Sequence, residues 1–224
     1  MEALILYFVI FFPGIYAPPS PDWLVNGAGA AGTIPFSIAQ QAGRMLTYTL
    51  PSLALLLYLI SRGEDRPALK AAAPHRRDML PFAAGLPCLI IIGLFVSFLG
   101  SHFAGAAPPL RVEGPSGVPG WFVVVLVCLS AGYLEEIYFR YYLLSRMEQA
   151  IPRTAVRVLF STVLFAVIHA SQGSWGILNA AIAGLFLAAL FLRFRSLHGV
   201  AWAHAGYNVF VYAMGAAGVG AGGA

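Results

Sequence analysis

The sequence predicts an all-α polytopic membrane protein, a transmembrane helical bundle of about seven spans around an intramembrane polar cavity. Three observations predict it. Of the 224 residues 59% are hydrophobic and 10% charged, where soluble domains hold about 25% charged residues. Apolar runs recur at lengths approaching the roughly 20 residues that cross a bilayer. A few ionisable side chains stand in the middle of those runs. The net charge of +4 does not point to a nucleic-acid partner, because the cations sit in short patches between apolar runs and form no basic face.

The runs lie near 2–17, 36–61, 79–104, 119–145, 155–172, 175–194 and 198–216, and together make residues 1–224 one membrane domain. The first begins Met1-Glu2 without the basic start and small-residue cleavage site of a signal peptide, so it reads as an uncleaved helix ending before Pro18, Pro19 and Pro21. A charged stretch from Arg62 to Asp78 separates the second run from the third, and Pro108, Pro109, Pro115 and Pro119 precede the fourth. Cys88 and Cys128 fall inside apolar runs with no close spacing. Two buried free thiols are expected, without a disulfide or a cysteine metal site. On the sixth run Ala180, Gly184 and Ala188 repeat every four residues, the small-residue pattern that lets membrane helices approach closely. The Gly/Ala-rich stretch 215–224 has little to pack with and reads as a flexible tail.

Orientation follows from the loop cations. Arg62, Arg66, Lys70, Arg76 and Arg77, then Arg146, Arg153 and Arg157, then Arg193 and Arg195 occupy alternate loops, while the intervening loops hold little beyond Arg111. Cytoplasmic loops are the ones enriched in Lys and Arg. With seven spans, the expectation is a multi-pass protein of the inner (plasma) membrane with its N-terminus in the cytoplasm and its C-terminus outside.

Three ionisable groups stand mid-run in the fourth segment: Glu135, Glu136 and Arg140. A charge at a membrane-helix centre costs roughly 2.5–3.5 kcal/mol on insertion scales. Glu136 and Arg140 are four apart, acid first, and can neutralise each other. Glu135 lies about 100° around the helix and has no cation three or four positions away, so its partner comes from another helix or from water. His169, His204 and Asn208 are the polar residues of later runs that can meet it, with His204 and Asn208 on one helix face. Counting 1.5 Å per residue from the nearest loop arginine puts Glu135, His169 and His204 at roughly 16, 18 and 14 Å depth, one shared level.

A carboxylate beside a neutral imidazole can deprotonate a water, while a second imidazole and a carboxamide can stabilise an oxyanion. One Glu and two His also suit a zinc ion with an open position. Spacing does not separate these chemistries, because no HExxH or other compact metal motif is present. His198, beside Gly199, reads as an interfacial polar residue, and Gln172, Asn179 and the tyrosines 138, 141 and 142 as packing or pore-lining residues.

Three motifs stand in order across 119–212: EExxxR at Glu135 to Arg140, FxxxH at Phe165 to His169, and HxxxN at His204 to Asn208. In this the chain resembles the CPBP intramembrane proteases, which include type II CAAX prenyl endopeptidases and abortive-infection proteins. The resemblance implies a cytoplasm-opening cavity, Glu135 as general base paired with His169, and His204 with Asn208 stabilising the oxyanion. Glu136 and Arg140 support them. It leaves the metal open: Glu135, His169 and His204 are the ligands if zinc is bound, although Asn208 suits an oxyanion donor better than a zinc ligand and favours a mechanism without cofactor. The family commonly has Gly after the Arg, whereas Tyr141 stands here and is expected to fill space beside the site.

The implied partner is a membrane-anchored peptide or protein within the lipid bilayer, processed in a CAAX-type, bacteriocin-type or C-terminal sorting-tag reaction. A non-enzymatic scaffold or immunity protein that keeps the polar cluster for partner binding is the alternative. A small transporter fits less well, since transporters show paired repeats and the charged motif occurs once.

Overall fold

The computed structural model describes residues 2–16, 33–62, 73–103 and 111–218. Pro18, Pro19, Pro21, Arg66, Lys70, Pro108, Pro109 and the tail from 219 lie outside the described residues.

Among the described residues seven helical segments build an all-α bundle. They are α1 (Glu2–Tyr16), α2 (Ile38–Arg62), α3 (Arg76–Phe103), α4 (117–150), α5 (Thr154–Val167), α6 (Gly173–Phe194) and α7 (Leu197–Ala216). A two-residue parallel pairing of Thr33–Ile34 with Arg111–Val112 is the β-structure among the described residues. Four helices, α2, α3, α4 and α6, are long and apolar enough to cross a membrane. The protein is therefore a membrane protein. α7 has the length, and His198, His204 and Asn208 lower its hydropathy. α5, at 14 residues, rises only about 21 Å, short of the span expected over 155–172. Its chain turns back through Ala170–Gln172, and Gly173 at φ 76° opens α6.

α7 packs along α3 and α4, and α5 lies along α6, which also meets α3. Close approach rests on small residues. Ala180, Gly184 and Ala188 are all buried, and a Cβ on Gly184 would stand 2.9 Å from the Phe165 ring of α5. The spacing read from the sequence thus marks a helix–helix seam. Cys128 is buried, but Cys88 is exposed. An apolar run does not say which of its faces meets protein and which meets lipid.

Side-chain hydrogen bonds pin the helix ends on the side of the cationic loops. Asp78 accepts from the Ser196 hydroxyl at 2.6 Å and from the His75 backbone N–H at 2.6 Å, while Ser196 caps α7 by accepting from the Gly199 N–H. Arg157 pairs with Glu148 at 3.2 Å and donates to the Leu144 carbonyl, fastening α5 to the end of α4. The Tyr138 hydroxyl donates to the Ala3 carbonyl and that of Tyr142 to Glu2. The start of α1 therefore lies against the end of α4, on the same side as Arg146.

Candidate active site

The first α-helical part of α4 ends on Glu135 and Glu136, and a π-helical turn, Ile137–Leu143, follows before α-helix resumes at Leu144. π-turns are rare and cluster at functional sites. Glu136 is fully buried and lies 3.1 Å from Arg140, itself 1% exposed. That approach, Glu136 Oε2 to Arg140 Nε, is an ion pair without hydrogen-bond alignment. Arg140 also donates to the Gly184 carbonyl at 3.2 Å and sets its guanidinium 4.4 Å from the centre of the Phe165 ring. The arginine of the first motif thus rests on the phenylalanine of the second, a link no spacing reveals.

The other Glu136 oxygen accepts from His204 Nδ1 at 2.8 Å. With that nitrogen occupied, His204 turns Nε2 toward Glu135 Oε2, 3.8 Å away. His204 stands between two carboxylates. His169 is held differently: its Nδ1–H donates to the Phe165 carbonyl at 2.8 Å, which leaves Nε2 without a hydrogen bond among the described residues and available as an acceptor. The resemblance pairs Glu135 with His169; in the fold the imidazole within ion-pair range of Glu135 is His204, and His169 interacts with Glu135 only at longer electrostatic range. The difference arises because His169 follows the end of α5 on a turn instead of sitting mid-helix.

Glu135, His169, His204 and Asn208 all line one cavity of about 450 Å³. Glu135 Oε2 is buried there without a hydrogen-bond partner among the described residues, so its partner comes from what enters the cavity. Asn179 and Tyr207, hydrogen-bonded at 3.1 Å, form part of the wall, as does Gln172. Tyr141 is not part of that wall. It packs into the apolar core, so the expected filling of space beside the site does not occur.

Each histidine donates its Nδ1–H to an oxygen, an arrangement that also orients zinc ligands. Among the described residues, however, no three His, Cys, Asp or Glu side chains group closely enough to hold a metal ion. The trio Glu135, His169 and His204 does not fit a three-ligand site as arranged.

Sequence reading missed the contribution of α2. Gln41, Arg44, Met45, Tyr48 and Thr49 form one helical stripe on the cavity wall, and Tyr48 lies within electrostatic range of both Arg44 and Glu135. The signal was available: Arg44 is an ionisable residue inside the apolar run 36–61, which marks a functional site by default.

Residues 117–210 match the family model described as type II CAAX prenyl endopeptidase, Rce1-like. Over this segment the chain is similar to the Rce1-like endopeptidases. The match covers somewhat less than half of the chain and contains all three motifs. No curated protein and no solved structure gives a significant match to the chain. The Rce1-like segment comprises α4 to α7, so it supplies the acid, imidazole and amide groups, while the stripe carrying Arg44 and Tyr48 lies outside it.

The rim of the cavity includes the exposed residues Arg44, Ser97 and Gln172. Counted along their helices these lie roughly 27–32 Å from Arg62, Arg77 and Arg193, at the ends away from the cationic loops. The cavity therefore opens on the face opposite those loops.

Proposed function

We propose that the chain is an intramembrane endopeptidase that hydrolyses a peptide bond of a membrane-associated protein or peptide with a water activated by Glu135. The observation that carries this reading is the division of labour between adjacent carboxylates. Glu136 is engaged by Arg140 and His204, while Glu135 Oε2 faces the cavity without a hydrogen bond.

In the proposed reaction a water lies between Glu135 and His169. Nε2 of His169, its tautomer set by the Phe165 carbonyl, accepts one water hydrogen and aims the oxygen. Glu135 takes the other proton as the oxygen attacks the carbonyl carbon. The carbonyl oxygen becomes an oxyanion. The Asn208 amide and protonated His204, which donates from both nitrogens, stabilise it. Glu135 then returns its proton to the leaving nitrogen, the C–N bond breaks, and a carboxylic acid and an amine result. CAAX-type, bacteriocin-type and sorting-tag substrates all supply such a bond.

The test is cleavage of membrane-anchored peptides, prenylated and unprenylated, by the purified protein and its Glu135→Gln variant, with a chelator arm in parallel. Loss of turnover by about 10²–10⁴-fold in a variant that keeps its thermal stability is the expected outcome, unaffected by chelator in the wild type. Chelator inhibition reversed by zinc would move the reaction to a metal-assisted route. Unchanged turnover in the variant removes Glu135 as the base, and stability loss without any turnover to lose favours the scaffold alternative.

A further inference from the structure

We infer that Asn179 and Tyr207 form a backbone-binding subsite: side by side on the cavity wall, they take the N–H and C=O of the substrate residue one step out from the bond that Glu135 attacks, and hold the chain extended there. The inference rests on the peptidase reading above and adds what the cavity recognises in the chain it admits.

Three helices build the pair. Asn179 on α6 and Tyr207 on α7 line the same cavity as Glu135 and Asn208. Asn179 Nδ2 donates to the Tyr207 hydroxyl at 3.1 Å, while the return approach, hydroxyl to Asn179 Oδ1, is 3.4 Å, beyond the roughly 2.5–3.0 Å of an O–H···O bond. The hydroxyl thus accepts from Asn179 and keeps its own hydrogen for a better acceptor, and Oδ1 keeps capacity for another donor. On α3, Gly93 makes the notch that the hydroxyl occupies, since a Cβ there would overlap it. The ring of Tyr207 packs against the apolar cluster that contains Leu89, Ala183 and Leu187, which holds the hydroxyl in place.

Position gives the pair its task. On α7, Tyr207 stands about 60° to one side of His204 and Asn208 about 40° to the other. By helix rise Asn179 is roughly 21 Å from Arg193 and Tyr207 roughly 18 Å from Arg195, against roughly 16 Å from Glu135 to Arg146. The pair therefore sits about 2–5 Å to the mouth side of the reacting level. One residue of extended chain advances about 3.3 Å, so the pair meets the second residue from the scissile bond, whose N–H and C=O both belong to uncut peptide groups.

Chemistry selects the ligand. The cavity of about 450 Å³ does not enclose a helix about 10–12 Å across, so a membrane segment that reaches Glu135 is unwound. Its freed backbone N–H and C=O groups are costly in lipid without partners. In an extended chain the N–H and C=O of one residue point to the same edge, the arrangement that pairs antiparallel strands. A hydroxyl donor beside an amide oxygen answers that edge whatever side chain the residue carries.

The test uses peptides in which an ester replaces one backbone amide at a time, on either side of the scissile bond; each ester removes one N–H and weakens the carbonyl it contains. They are assayed in zwitterionic vesicles with wild type, Asn179→Leu and Tyr207→Phe, and their binding is measured to the same three forms carrying Glu135→Gln. Wild type is expected to lose about 10-fold in kcat/KM and in affinity, the scale of one neutral hydrogen bond, on the ester that removes the N–H of the second residue, and also on the ester that contains its carbonyl. Esters farther out should cost less than about 3-fold. Asn179→Leu should lose a similar factor on the all-amide peptide and no longer sense the first ester; Tyr207→Phe should do the same for the second, the non-additivity that marks a direct contact. Unfolding temperature in detergent checks that each variant folds, and if Asn179→Leu does not, Tyr207→Phe with the second ester decides. Wild-type tolerance of every ester, variant losses that are equal on all peptides, or failure of the folded protein to bind any of them overturns the inference. If nothing is cleaved yet binding shows the same coupling, the peptidase reading fails while this one stands.

Discussion

A carboxylate in the bilayer core persists when its charge is answered, and the two neighbouring glutamates are answered differently. Glu136 has Arg140 at 3.1 Å and His204 at 2.8 Å; removing one partner of such a buried pair leaves an uncompensated charge and costs about 3–5 kcal/mol. Arg140→Met is therefore expected to lower the thermal unfolding temperature in detergent sharply. The double variant Glu136→Gln/Arg140→Met should recover part of the loss, because it removes both charges together. Glu135, with its Oε2 free of hydrogen bonds, should behave the opposite way: Glu135→Gln changes the unfolding temperature little and turnover greatly. The i, i+4 pairing of Glu136 and Arg140 was legible in the sequence because both residues share one element. The bond from His204 to Glu136 was not, since it spans 68 residues and depends on how α7 lies on α4.

At the scale of elements, the short α5 and the seam it makes with α6 set the position of the second motif. Gly184 accepts Arg140 through its carbonyl and leaves room for Phe165 against its Cα. Gly184→Ala forces a Cβ to 2.9 Å from the Phe165 ring, an overpacking that typically costs 1–3 kcal/mol. Reduced thermal stability together with reduced turnover is expected, because the Phe165 carbonyl also fixes His169. Adding Phe165→Leu should restore stability more than turnover, since it makes room but removes the ring under Arg140. Pattern reading located this seam from small residues at four-residue spacing. It extended α5 through His169, because an apolar run does not show where a helix stops when the turn residues are themselves half-apolar.

For the whole molecule, sidedness sets the face from which substrate enters. The cavity mouth, with Ser97 and Gln172 on its rim, lies opposite Arg62, Arg77 and Arg193. If the cationic loops face the cytoplasm, as loop charge predicts, Gln172→Cys is labelled by an impermeant maleimide in intact cells, and Arg195→Cys only after permeabilisation. Both substitutions would be made with Cys88 and Cys128 replaced by alanine. We expect that pattern. The reverse pattern places the mouth in the cytoplasm and the arginines outside, and so reverses the side from which substrate enters.

Composition and run length alone determined that this is a membrane bundle, because the bilayer's thickness and the cost of a buried charge act on any local stretch of chain. They also singled out Glu135, His169, His204 and Asn208, whose polarity is out of place in lipid wherever they point. Only the tertiary structure decided that His204 bridges Glu135 and Glu136, that Phe165 supports Arg140, that Arg44 joins the cavity and that its mouth lies away from the cationic loops. Each of these depends on how separate helices are rotated and staggered against one another, and packing between distant segments sets rotation and stagger where local periodicity does not.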